Sequence, residues 1–86
     1  MKSPIHISLN TDVPGGAGYV RYSRAKAVRQ DAIDEHSVVA VDLEKAGGVV
    51  GVELTSLDDH AFALARIAAQ RCDLSFPDVA RALLVA

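Results

Sequence analysis

Aromatic and sulfur-containing side chains are scarce in this chain of 86 residues, which has no Trp, one Cys, one Met, two Tyr and two Phe. Because Cys72 is the only cysteine, no disulfide can form within the chain, and a reducing compartment is favoured. A hydrophobic core therefore has to be built from Val, Ile, Leu and Ala. Hydrophobic residues make up 50% of the chain, which is sufficient for such a core and argues against a disordered chain.

An excess of charge of one sign is also missing, since nine basic and eleven acidic residues give a net charge of −2. This balance disfavours nucleic acid as a partner, because domains that bind nucleic acid are usually strongly basic. Hydrophobic runs near the N-terminus are short, and residues 5–9 are too few for the core of a signal peptide or for a membrane span. We therefore expect a soluble, cytoplasmic protein without a membrane partner.

Motifs of catalytic, metal-binding or nucleotide-binding sites are not evident either. The three histidines are far apart in the sequence and lack the spacing of zinc ligands. The Gly-rich residues 14–18 precede a predicted strand rather than a helix, which favours a hairpin loop over a phosphate-binding loop. Cys72 fits a structural thiol better than a nucleophile. We expect no enzymatic activity, no cofactor and no bound metal.

Apolar residues alternate with polar ones through most of the first 54 residues, as in strands that bury one face. Turn residues such as Gly, Asp and Asn separate the alternating segments. The pattern predicts strands over residues 5–9, 18–23, 26–33, 38–43 and 49–54. We expect an antiparallel β-meander of four to five strands in residues 5–55, within a single domain of residues 1–86.

The spacing of apolar residues changes from two to that of a helix after Ser56. Ser56 and Ser75 are each followed three residues later by an aspartate, which predicts an N-cap at each serine. We expect two C-terminal α-helices in residues 56–86, the second from Phe76 to about Val85, so the fold class is α+β. The helical residues that we expect to pack on the sheet or to form an interface are Phe62, Leu64, Ile67, Val79, Leu83 and Leu84.

One local group of basic residues surrounds the second predicted strand. Tyr19 and Arg21 share a face of that strand, and such a pair on a sheet can contact a phosphate or a base. In the other interpretation, acidic residues of neighbouring strands neutralise these charges. The candidate face for a small ligand or nucleic acid is formed by Tyr19, Arg21, Arg24 and Arg29.

The predicted strands also resemble those of a known family. The similar segments are Tyr-Val-Arg-Tyr-Ser at 19–23, Lys-Ala-Val-Arg at 26–29, Val-Ala-Val-Asp-Leu at 39–43, and Val-Val-Gly-Val-Glu-Leu at 49–54 directly after Gly47 and Gly48. In this pattern, residues 5–57 resemble the small bacterial domain-of-unknown-function family 2283. The resemblance implies a β-meander with added helices and carries no established activity. Some of its members look like antitoxin-type partners of small toxins, and no functional residue can be transferred.

We interpret the chain as a non-enzymatic protein-interaction module that works as a homo-oligomer, most simply a homodimer. The apolar content is high for the length, and the uncharged residues 82–86 would enlarge an exposed patch in a monomer. In an antitoxin-like form of this function, the module would also bind a small protein partner such as a toxin. The alternative is binding of a small ligand or nucleic acid through the face that carries Tyr19 and Arg21.

Overall fold

The computed structural model describes residues 1–84 as five β-strands followed by two α-helices. The elements are β1 (His6–Asn10), β2 (Ala17–Arg21), β3 (Arg29–Ala32), β4 (Val39–Leu43), β5 (Val49–Leu54), α1 (Asp59–Arg71) and α2 (Val79–Leu84). The predicted α+β class, with an antiparallel sheet preceding two helices, is confirmed. The expected end of the second helix at Val85 and the end of the apolar tail at Ala86 lie outside the described residues.

The sheet has the strand order β1-β2-β5-β4-β3. The last three strands in sequence, β3, β4 and β5, form a meander, whereas the β1–β2 hairpin pairs with β5 instead of with β3. This pairing brings Val20 beside Val52, and Val52 beside Val41, in the centre of the sheet. The order therefore differs from a strictly sequential meander because it gathers the most apolar strands where the core is deepest.

The core lies between one face of the sheet and α1, which packs on β4 and β5. The helix buries a stripe of small and aromatic side chains, which are Ala61, Phe62, Ala65, Ala68 and Ala69. Of the other helical residues that we expected to pack or to form an interface, Val79 is buried, and Leu64 and Leu83 pack against the core while partly exposed. Ile67 and Leu84 are exposed, with 43% and 85% of their surface accessible.

Both helices begin after an aspartate instead of at the predicted serine. The Asp58 carboxylate accepts the Ala61 amide at 2.8 Å, and the Asp78 carboxylate accepts the Arg81 amide at 3.0 Å. A carboxylate at this position satisfies a free amide and also interacts favourably with the helix dipole. Ser75 instead donates its amide to the Lys2 carbonyl at 2.8 Å, so the chain between the helices stays extended beside the N-terminal segment.

Two local differences from the predicted strands occur, one at the start of β3 and one in the pairing of β4 with β5. β3 begins at Arg29, three residues later than the predicted start at Lys26. A shift of register next to Leu43 pairs it with Val49, which then packs against the core although alternation assigned it to the opposite face. A bulge of this kind adds one residue to a strand and changes which way the following side chains point.

Candidate functional site

Two of the uncovered surfaces of the sheet are candidate binding sites. The first is the face opposite the helices, called the open face here, whose polar side chains are those of His6, Ser8, Asn10, Tyr19, Arg21, Gln30, Asp42 and Glu53. The strand register aligns Arg21 with Gly51, Gly51 with Asp42, and Asp42 with Gln30. Residues of four neighbouring strands therefore lie in one row across this face, and three of them, all except Gly51, contribute side chains.

Tyr19 is the centre of the open face because its ring crosses over Gly51 of β5. With no side chain at residue 51, the tyrosine reaches β4 and donates from its Oη to Asp42 Oδ2 at 2.9 Å. Partial burial, the hydrogen bond to Asp42 and the charge of that carboxylate raise the pKa of Tyr19 to about 12. The phenol is therefore neutral at physiological pH and acts as a hydrogen-bond donor.

The other polar groups of the open face are also bonded to one another. Gln30 Nε2 donates to Asp42 Oδ1 at 2.8 Å and to the Glu53 carboxylate. The Arg21 guanidinium lies 5.5 Å from the centre of the Tyr19 ring and donates to the Ser23 carbonyl at 3.0 Å. These contacts hold the side chains in place, as in a structural network. A ligand that bound these groups would first have to replace the bonds they already make.

The candidate binding residues Tyr19, Arg21, Arg24 and Arg29 do not form one surface. Tyr19 and Arg21 lie together on the open face, as their spacing predicts. Arg24 is exposed in the connection after β2. Arg29 pairs with Leu43, so it lies on the helix side of the sheet, where its Nε is 3.3 Å from Asp31 Oδ1. Alternation within one strand could not show that β2 and β3 are separated by two other strands.

A shallow groove of about 340 Å³ adjoins the open face where the β1–β2 loop meets the end of β5. Its polar lining comes from Ser8, Asn10, Tyr19, Glu53 and Thr55, and Val13 and Pro14 supply apolar surface. Glu53 is the one acidic side chain among these residues. The groove is large enough for a small polar molecule.

The second uncovered surface is the β1 edge, defined by the outer backbone of β1 together with the side chains of Ile5 and Ile7. β1 lies at the end of the sheet, and the residues His6–Asn10 include no Lys, Arg, Asp or Glu. Ile7 lies beside Val20 on the helix side, yet Ile5 and Ile7 are 50% and 37% exposed. Sequence alternation predicted that these isoleucines are buried, but it could not predict that α1 lies over β4 and β5.

Comparison with known proteins does not assign a function to either of these surfaces. Among residues 1–84, no three His, Cys, Asp or Glu side chains come together as a metal site would require. In the same part of the chain, no helix has the length and apolar character needed to cross a membrane. No family model, no curated protein and no solved structure matches the chain. The resemblance of residues 5–57 to family 2283 therefore stays a prediction.

Proposed function

We propose that this chain is a non-enzymatic protein-interaction module that works as a homo-oligomer. The observation that carries the proposal is the uncovered β1 edge, where Ile7 of the strand remains exposed on the helix side of the sheet and Ile5, directly before the strand, is exposed as well. Burying apolar surface is favourable by about 25 cal/mol per Å². Contact with another protein chain would supply the cover that the helices do not.

The dimensions of the elements explain why this edge stays open. Five strands spaced about 4.8 Å apart span about 19 Å between the outer strands, whereas one helix covers a width of about 10 Å. α1 lies over β4 and β5, and the segment after it reaches the end of β2, where Tyr22, the residue that follows the strand, donates from its Oη to the Ser75 carbonyl at 2.9 Å. The helical part is thus too small to cover β1 as well.

An antitoxin-like role is the version of this function in which a small toxin is the partner chain. The resemblance to family 2283 supports it, because some members of that family look like antitoxin-type partners. The exposed Ile67 and Leu84 are further apolar contact residues for such a partner on the helices. Changing both to Glu would weaken toxin binding without altering self-association, if the helices hold the toxin.

Light scattering coupled to size-exclusion chromatography tests the homo-oligomer directly. We expect a mass of at least twice 9.1 kDa that falls toward that of one chain on dilution. A protein that stays at 9.1 kDa over a wide range of concentrations would contradict the proposal.

A second candidate function is binding of a small ligand in the groove beside Tyr19. The groove volume of about 340 Å³ and its polar lining favour this function over one that uses Arg21 and Arg29 together. A thermal-shift screen with nucleotides and metal ions would detect it as a rise in the unfolding temperature. The rise should be smaller for the groove variant Asn10→Leu than for Asp12→Asn, a change in the adjacent loop outside the groove lining. No response to any compound in the screen would count against this candidate.

A further inference from the structure

We infer that the homo-oligomer is a dimer in which β1 pairs antiparallel with β1 of a second copy, with Ile7 opposite Ile7. The inference rests on the proposed function and names the surface and the partner. Two five-stranded sheets would then join into one continuous sheet. Such an arrangement has two-fold symmetry, which is the commonest symmetry of protein dimers.

The backbone of β1 presents the groups that an added strand needs. Tyr22 donates its amide to the Val50 carbonyl at 2.8 Å, so this residue bonds toward β5. Bonding directions alternate along an antiparallel strand, and therefore Tyr19 and Arg21 bond toward β1. Their partners Ser8 and His6 use their backbone groups within the sheet. The amides and carbonyls of Ile7 and Leu9 are thus directed to the open edge, where a strand can be added.

The side chains of β1 also match a second copy of themselves. With Ile7 at the centre, the Ile7 side chains of the two copies lie opposite each other on the helix side. Ile5 precedes β1 and donates its amide to the Arg21 carbonyl of its own chain at 2.7 Å, so its exposed side chain adds apolar surface at the end of this contact rather than a further strand pair. His6 lies opposite Ser8 on the open face. Aliphatic neighbours on adjacent strands stabilise a sheet. His6–Asn10 includes no Asp, Glu, Lys or Arg, so the two-fold symmetry does not place two such charges of the same sign opposite each other.

The other edge of the sheet is protected by charge. β3 consists of four exposed residues, and its Arg29 and Asp31 stand on the helix side with 3.3 Å between Arg29 Nε and Asp31 Oδ1. Charged side chains on an edge strand are a common protection against pairing, because an added strand would have to desolvate them. Of the two edges, the β1 edge is therefore the one that favours a second copy.

Pairing at β1 would also change the groove beside Tyr19. Ser8 lines the groove, and the proposed register places His6 of the second copy beside Ser8. Side chains of residues that lie opposite each other on neighbouring strands are about 5 Å apart. Each groove of the dimer would thus gain an imidazole that the single chain does not provide, and a ligand in the groove would contact both copies.

Ile7→Lys tests the interface, and Val28→Lys is its matched control. Val28 is 61% exposed and precedes β3, so its replacement adds the same charge at the opposite edge. We expect Ile7→Lys to raise the dissociation constant of the dimer at least about tenfold, since two lysines would face each other across the symmetry axis. Val28→Lys should leave the dissociation constant as in the unchanged protein. Circular dichroism checks that both variants are folded.

The outcomes separate the interface from the function. An oligomer that persists unchanged in Ile7→Lys overturns the β1 interface but leaves the proposed function in place. An oligomer that dissociates only in Val28→Lys assigns the interface to β3 and likewise overturns the inference. A monomeric unchanged protein overturns both.

Hydrogen exchange of the unaltered protein provides a test that does not depend on a variant folding. In the dimer, the amides of Ile7 and Leu9 should exchange slowly, and their protection should fall on dilution. The amides of His6 and Ser8 serve as internal controls, because they bond within the sheet and should stay protected at every concentration. Rapid exchange of Ile7 and Leu9 in a sample that is oligomeric by light scattering would overturn the β1 interface.

Discussion

The ring of Tyr19 crosses the backbone of Gly51 so closely that a Cβ atom at residue 51 would overlap the phenol carbon and oxygen. The glycine of β5 is therefore the reason that a side chain of β2 reaches a carboxylate of β4. The hydrogen bond of 2.9 Å between Tyr19 and Asp42 spans the intervening strand. Because β2 and β4 both pair with β5, this contact ties together the centre of the sheet.

Replacing Gly51 by Ala should destabilise the protein by about 1–3 kcal/mol, because the added methyl group displaces the Tyr19 ring. Urea unfolding measures the change in the free energy of unfolding. In a Tyr19→Ala background the same replacement should cost much less, since nothing then occupies the space above residue 51. Equal costs in the two backgrounds would show that the ring is not the cause.

Alkaline pH should destabilise the folded protein through its two tyrosines. Burial raises the pKa of Tyr22 to about 12, and burial together with Asp42 raises that of Tyr19 to about 12. A phenol with a raised pKa in the folded state contributes stability that is complete below about pH 10, the ordinary value for tyrosine, and is lost toward pH 12. Thermal unfolding between these pH values should show the loss, and Tyr19→Phe should reduce it. If Tyr19→Phe leaves the dependence of the unfolding temperature on pH unchanged, the loss of stability comes from groups other than Tyr19.

Acid should open the turn between β3 and β4, where Asp34 caps three backbone amides. The Val39 amide, with those of Val38 and His36, holds the pKa of Asp34 below its ordinary value, and each N···O distance is 3.1 Å. The stability from this carboxylate is present above the unfolded pKa, near 4, and is lost as the pH falls through the lower folded value. Asp34→Asn should weaken the acid dependence of unfolding. An acid dependence of unfolding that Asp34→Asn leaves unchanged would contradict this role of the carboxylate.

Asp73→Gly should stabilise the protein by about 0.5–1 kcal/mol, because glycine adopts a left-handed backbone without steric cost. Asp73 follows the end of α1 with φ 55°. The next amide, of Leu74, closes the helix end by donating to the Ala69 carbonyl at 2.8 Å. Asp73→Ala removes the same carboxylate but keeps the strained backbone, so it should give no gain. A gain of equal size in both variants would point to the carboxylate instead.

The elements themselves were largely predictable from the residues. Alternation through residues 38–54 placed β4 and β5 correctly, because β-branched side chains that alternate with small or polar ones suit a sheet covered on one face. The pairing of Tyr19 and Arg21 on one face followed from the same rule. The aspartate caps were missed because Ser56 and Ser75 are also good N-caps, and the choice between them depended on contacts outside the helix, such as the bond from Ser75 to Lys2.

The strand order could not be predicted from alternation or from capping residues. Whether β2 pairs with β3 or β5 depends on which arrangement buries the most apolar surface, and that is a property of all strands together. The separation of Arg29 from Arg21 and the crossing of Tyr19 over Gly51 both follow from the order β1-β2-β5-β4-β3. The β1 edge follows from it as well, together with the position of α1.

The α+β class and the periodicities that produce it follow from the order of the residues, because the face on which a side chain lies depends on its immediate neighbours along the chain. Which surfaces remain uncovered depends instead on how the helices and strands pack in three dimensions. A helix about 10 Å wide cannot cover five strands, so α1 packs on β4 and β5 and leaves Ile7 of the first strand and the preceding Ile5 exposed.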